Sequence, residues 1–226
     1  MTIAPFPYDR QPDGLRLSDS LGLTPDHESE LREILWGHIC HTGEIEPEEL
    51  AEWVLDDLSW EPEEGTLHRA WDELVAARRA QIRSWPEEIR VTPLTRAFTE
   101  LADIGVVARE DFSCCGTCAS YEIGGERDDS RTWRGYITFH HQDAERIPDI
   151  RETYVGYGVF ADAYYPKDEW DALGKTGQED TYLRLVTDLM RNEVFPVLER
   201  HGIEVEWDGK HKKRILLKNV DWYPVV

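Results

Sequence analysis

Between residues 31 and 75 the chain repeats one rhythm three times: Leu31, Ile34, Leu35 and His38, then Leu50, Trp53, Val54 and Leu58, then Leu67, Trp71, Leu74 and Val75. Spacings of three and four residues put these side chains on one stripe of a helix, so three short amphipathic helices are expected. Pro47 stands where a first-turn proline belongs, and Glu46, Glu48 and Glu49 lie beside the positive end of that helix's dipole. Thr92-Pro93 predicts a fourth helix with a capping residue and a proline start; Leu94, Ala97, Phe98 and Leu101 form its buried stripe, and Gly105 stops it. Val106 and Val107 then open a strand.

Beyond this point the period changes. Tyr136, Thr138 and His140 alternate with Ile137, Phe139 and His141, the two-residue period of a strand that begins after Gly135. Asp143 is placed to cap about two turns of helix, irregular near Pro148, and a second aromatic strand is expected over residues 153–165. After a break at Gly174 and Gly177, a long helix over residues 179–200 buries Leu185, Val186, Leu189, Met190, Val194 and Val197, with a kink expected at Pro196 and a stop at Gly202. Residues 203–207 and 214–220 flank the turn-forming Asp208-Gly209 as a C-terminal hairpin.

Strands separated by helices after a helical start predict an α+β protein, with a small, largely antiparallel sheet in a mixed helix/strand domain and a helical N-terminal third. The expected organisation is an extended arm over residues 1–25, rich in Pro and Gly; an acidic, Trp-rich helical region over 26–90; and an α+β domain over 91–226. Trp36, Trp53, Trp60, Trp71 and Trp85 are five of nine tryptophans, and they most simply build the core of the helical region.

With 226 residues and 40% hydrophobic content the chain can bury a core without disulfide staples. No run of about 18 apolar residues and no N-terminal apolar segment is present, which predicts a soluble, cytoplasmic protein in which thiols stay reduced. The net charge of −21 argues against nucleic acid as a partner and favours a basic protein. Residues 26–64 hold fourteen Asp and Glu against one Arg, an acidic surface suited to solubility or to docking a cationic protein, as an immunity-like inhibitor would. By contrast Lys210, Lys212, Lys213, Arg214 and Lys218 cluster near the C-terminus.

Chemistry concentrates in Phe112-Ser113-Cys114-Cys115-Gly116-Thr117-Cys118, followed by His140 and His141. Cys115-Gly116-Thr117-Cys118 has the C-x-x-C spacing shared by thiol oxidoreductases and metal knuckles. For metal, Cys114, Cys115, Cys118, His140 and His141 are the candidate ligands and zinc the candidate ion; Cys115 and Cys118 with one or both histidines form the least strained set. For thiol chemistry Cys115 and Cys118 are the candidates, although Gly124-Gly125 leaves room for only a very short activating helix. Cys118, His140 and Asp143 also supply a nucleophile, a base and an orienting acid in principle. Against these stands simple packing, since small cysteines and single histidines commonly fill cores. Cys40-His41 reads as helix-end packing. No phosphate-binding, dinucleotide-binding, zinc-protease or serine-nucleophile motif occurs.

The cysteine run, together with Gly135-Tyr136-Ile137-Thr138-Phe139-His140-His141-Gln142-Asp143-Ala144-Glu145, resembles a bacterial family of uncharacterised proteins classed as a domain of unknown function. The second segment is similar to that family's G-Y-x-x-F-x-x-Q-D-x-E pattern, and Trp207-Asp208-Gly209 and Arg214-Ile215 are later echoes; Ala144 stands where Thr is expected. The resemblance spans residues 94–222. It implies that the cysteines and the His-Gln-Asp segment are neighbours in space, and it names no reaction. The expectation is therefore a non-catalytic binding or regulatory protein with a Cys/His site, with a thiol redox protein or enzyme and an inhibitor of a basic protein as rivals.

Overall fold

The computed structural model describes residues 6–43, 45 and 47–226. The chain forms two compact units, one of Met1–Arg90 with Tyr223–Val226 and one of Val91–Trp222. Among the described residues no helix is long and apolar enough to cross a membrane.

The first unit is helical: α1 Pro25–Thr42, α2 Pro47–Val54, α3 Glu64–Ser84 and α4 Glu87–Arg90, with short 3-10 turns at Asp19–Leu21 and Leu55–Asp57. Thr24 caps α1, its hydroxyl accepting from the His27 N–H at 3.3 Å, and Pro25 occupies the first turn. Leu31, Leu35 and Ile39 of α1 meet Leu50 and Val54 of α2 and Leu67 and Leu74 of α3 in one core. Each such side chain contributes about 1.5–3 kcal/mol on full burial. Leu17 and Leu21, ahead of α1, are buried in this same core. Trp36 and Trp71 are buried as well, but Trp53 is 40% exposed, because α2 presents Leu50 and Val54 to its neighbours instead.

At the unit's centre sits a fully buried cation, Arg78. Its guanidinium lies 5.0 Å from the Trp85 ring, 5.7 Å from Trp36 and 5.8 Å from Tyr223, and its Nη1 donates to the Tyr8 carbonyl (2.6 Å) and the Gln81 Oε1 (2.7 Å). Cation–π attraction and charge-assisted hydrogen bonds offset part of the cost of removing that charge from water, while Nε and Nη2 are buried with no hydrogen-bond partner among the described residues.

The second unit is α+β. In chain order it holds α5 Pro93–Asp103, β1 Val106–Arg109, α6 Gly116–Glu122, β2 Gly135–Thr138, α7 His141–Ala144, α8 Ile147–Ile150, β3 Glu152–Val159, α9 Lys167–Ala172, α10 Gly174–Leu189, α11 Phe195–Arg200, β4 Glu204–Glu206 and β5 Ile215–Lys218. The five strands form one sheet in the order β1-β2-β3-β5-β4. β1 runs parallel to β2, reached by a crossover through α6, and the remaining pairs are antiparallel. Side chains alternate across the sheet. Val106 and Ala108 join the main core with Ile137, Phe139, Val155, Ile215 and Leu217, whereas Val107 joins a small cluster with Ile123 and Trp133.

Several elements end earlier than the sequence pattern predicts. β2 stops at Thr138, because beyond it the Phe139 carbonyl accepts from the Phe112 N–H (2.8 Å) and the His141 N–H donates to the Ser113 carbonyl (3.1 Å), so the chain binds the cysteine loop instead of a neighbouring strand. β3 ends at Val159, and its aromatic continuation becomes a 3-10 turn at Ala161–Ala163. The long helix begins at Gly174 and passes through Gly177 without a break. Ahead of Pro196, which has no N–H to donate, a wide π turn at Met190–Val194 joins α10 to α11.

Candidate functional site

The loop from β1 into α6 holds the cysteines in an unusual backbone. Asp111 (φ 44°) and Ser113 (φ 69°) are both in the left-handed region, which non-glycine residues occupy at a cost of order 1–3 kcal/mol each. Tertiary contacts hold them there. The two backbone hydrogen bonds to the end of β2 clamp the loop; the Ser113 hydroxyl donates to Glu122 Oε2 (2.6 Å), and Asp111 Oδ1 lies 3.1 Å from His141 Nδ1. The cysteine run and the His-Gln-Asp segment are therefore adjacent.

Cys115 occupies the N-cap position of α6 without a side-chain cap hydrogen bond, and the three sulfur atoms of Cys114, Cys115 and Cys118 lie within 4.8 Å of one another. All three thiols are free. Cys114 is exposed and the other two are half-buried, so the cluster opens toward solvent. The backbone N–H groups of Cys118 and Thr117 beside the sulfur, and after them the Cys118 and Cys114 thiols, hold the Cys115 thiol below its ordinary range. Hydrogen bonding to Cys114 and Cys115 and the charges of both neighbours push Cys118 up to about 11. Three soft donors this close can hold a metal ion.

The histidines stand outside that group of sulfurs. His140 is buried, its ring against the backbone of Gly116: a Cβ there would lie 3.6 Å from both Cδ2 and Nε2. Its Nε2 lies 2.8 Å from Asp143 Oδ2, while Nδ1 is buried without a hydrogen-bond partner among the described residues. Burial lowers its proton affinity below the ordinary imidazole value of 6.5; the charge of Asp143 opposes that shift. His141 instead faces Asp111 and lies 4.0 Å from Glu145.

Asp143, expected to cap a helix, does not do so: α7 starts after His140, and the Asp143 carboxylate turns inward. It accepts from both arms of Arg214, Nη1 at 3.0 Å and Nη2, as well as from His140. Arg214 Nη2 also donates to the Tyr154 carbonyl at 2.7 Å. A carboxylate with three donors is a positioning group, and here it joins the end of β2 to the start of β5. Sequence reasoning missed Asp111, His211 and the role of Arg214; the basic run over residues 210–218 was the only signal of the last.

Fold and geometry thus define an α+β protein with a solvent-facing trio of thiols, clamped beside a His–Asp–Arg set. The chain belongs to the family described as domain of unknown function (DUF6891), whose model matches residues 24–224. That match takes in the acidic helices as well as the stretch carrying the two motifs. No curated protein and no solved structure matches the chain.

Proposed function

We propose that the protein binds one thiophilic metal ion, zinc in the first instance, through Cys114, Cys115 and Cys118, and that this site serves binding or regulation. The observation that carries the reading is the convergence of three sulfurs within 4.8 Å. Tetrahedral zinc, with bonds of about 2.3 Å to sulfur, needs ligand sulfurs about 3.8 Å apart, so only small thiol rotations separate the cluster from that geometry. The electrostatics support it too: crowding raises Cys118, and a divalent cation replacing the protons converts that mutual repulsion into attraction. Three protein donors leave a fourth position open, unlike a closed four-ligand structural site. Asp143 and Asp111 engage the two histidines, which in this reading shape the loop and do not ligate.

Native mass spectrometry of anaerobically purified protein tests this. The expected result is one metal per chain, lost on denaturation and lost in Cys115→Ser and Cys118→Ser. A reduced, metal-free protein that takes up no added zinc would refute it, as would equal binding by a variant lacking all three thiols.

A second reading is favoured by the asymmetry of Cys115 and Cys118. A stabilised thiolate three residues from a thiol that keeps its proton is the arrangement for thiol–disulfide exchange: Cys115 attacks a small disulfide, releasing one thiol, and Cys118 displaces the second while closing the Cys115–Cys118 bond. It expects Cys115 in the metal-free protein to alkylate at neutral pH well ahead of an ordinary thiol. Slow, uniform labelling of all the exposed cysteines would remove it.

A further inference from the structure

The other face of α6 borders a cleft of about 230 Å³ over β2 and β3, closed on its far side by residues 211–214. Its lining is chemically unlike the rest of the chain. Although 46 of 226 residues are Asp or Glu, no carboxylate among the described residues lines this cleft; Lys212, Lys213, Arg214, His140 and His211 do. Their charge is not cancelled locally. Asp143 takes Arg214, and Asp208 pairs with Lys213 (3.0 Å) while also lying 3.6 Å from Lys210 outside the lining, so the three lining cations meet two carboxylates, one of them shared. Lys212 is exposed and makes no ion pair among the described residues.

Two further features separate this cleft from a merely basic surface. His140 and His211 both line it, and each has a buried Nδ1 with no hydrogen-bond partner among the described residues, a condition that costs roughly 1–3 kcal/mol per group. The other nitrogens are occupied, Nε2 of His140 by Asp143 and Nε2 of His211 by the Thr187 hydroxyl at 3.2 Å. The floor, meanwhile, is kept open by a glycine that packing does not demand. Gly156 sits mid-strand in β3, and a Cβ there would meet only Thr138, at 3.8–3.9 Å, which is ordinary contact. A strand interior loses stability with glycine, so an open floor is the evident consequence of having it.

We propose that this cleft binds a small molecule through an oxyanion, phosphate or carboxylate, received by Lys212 and Lys213. Neighbouring lysine cations recognise such groups by charge-assisted hydrogen bonds, and the concave walls of Tyr136 and Tyr157 suit a compact organic body. The site is independent of the metal reading: α6 turns its cysteines one way and Gly116, Ala119 and Ser120 toward the cleft.

The test is titration of metal-free, reduced protein with inorganic phosphate and, separately, malonate, each against chloride at equal ionic strength, followed by amide chemical shifts. Saturable shifts centred on α6 and residues 211–214 are expected for one of the two, and which one saturates assigns the anion class. Lys212→Glu should weaken that binding at least about tenfold. Gly156→Leu, which fills the floor without a backbone clash, should abolish it while the far-ultraviolet spectrum and unfolding midpoint hold. Unsaturable shifts with both anions, or affinities unchanged in both folded variants, would overturn the proposal. Because the protein is metal-free throughout, a failed metal assay leaves this result untouched, and the reverse holds as well.

Discussion

Asp143→Asn isolates the group that ties the cysteine side of the second unit to β5. The substitution keeps shape and removes one charge, leaving an amide whose oxygen still accepts from one arm of Arg214. Its NH2 group then faces a donor, either the second Arg214 arm or His140 Nε2–H. Removing one partner of a buried ion pair typically costs about 3–5 kcal/mol. Arg214 is 39% exposed, and water recovers part of that loss, so the expected cost is about 2–3 kcal/mol. The assay is urea unfolding followed by tryptophan fluorescence, run as a cycle with Arg214→Gln. Since the two residues share hydrogen bonds, the double variant should lose about 1–2 kcal/mol less than the sum of the singles. A single-variant loss under about 0.5 kcal/mol, or an additive cycle, would show that the carboxylate is solvated and not acting as a structural tie.

Burial holds His140 below 6.5, so between that value and its lowered native one the unfolded chain binds a proton that the native chain does not; stability is present above 6.5 and is lost as pH falls through that window. His140→Gln should flatten the dependence of the urea midpoint on pH there, and an unchanged slope would contradict the burial argument. In the helical unit, Arg78→Ala should cost about 3–5 kcal/mol, while Arg78→Met, which fills the space without stranding a charge, should recover at least about half of it; equal losses would rule out a packing role for the side chain. Gly105→Ala forces a Cβ to 2.7 Å from the Thr132 carbonyl at φ +83° and should destabilise by at least about 2 kcal/mol, whereas Gly65→Ala, in open space on α3, should be neutral or stabilise by up to about 1 kcal/mol. Thermal unfolding of the two variants side by side checks both signs.

Local signals were legible wherever a short stretch of chain determines its own conformation. Thr92-Pro93 caps α5 as read, with the Thr92 hydroxyl accepting from the Thr95 N–H at 3.1 Å, and Gly105 ends the segment at positive φ. The α+β class, the helical start and the closing hairpin follow from such signals. Strand limits do not, because alternation records burial and not pairing. Phe139 and His140 are buried like strand residues, yet their backbones serve the cysteine loop and a helical turn. The parallel pairing of β1 with β2 was equally hidden, since Val106 meets Gly135 through contacts that no local pattern encodes.

The site divides along the same line. Three cysteines within five residues announce themselves in one dimension, and the fold needs only one turn of α6 to bring their sulfurs together. Roles assigned by distant partners are different in kind. Asp143 was equally readable as a helix cap or as an orienting acid; what decides is Arg214, 71 residues later, which draws the carboxylate inward and leaves α7 to begin without it. That same arginine is the last residue of the basic run closing the cleft, so one side chain both fixes the His–Asp geometry and ends the positive wall. A ligand drawing on Arg214 would therefore compete with Asp143 for its guanidinium, whereas one held by Lys212 and Lys213 leaves the pair intact. The geometry favours the second arrangement, since Asp143 already occupies both arms of the guanidinium fork and is itself buried.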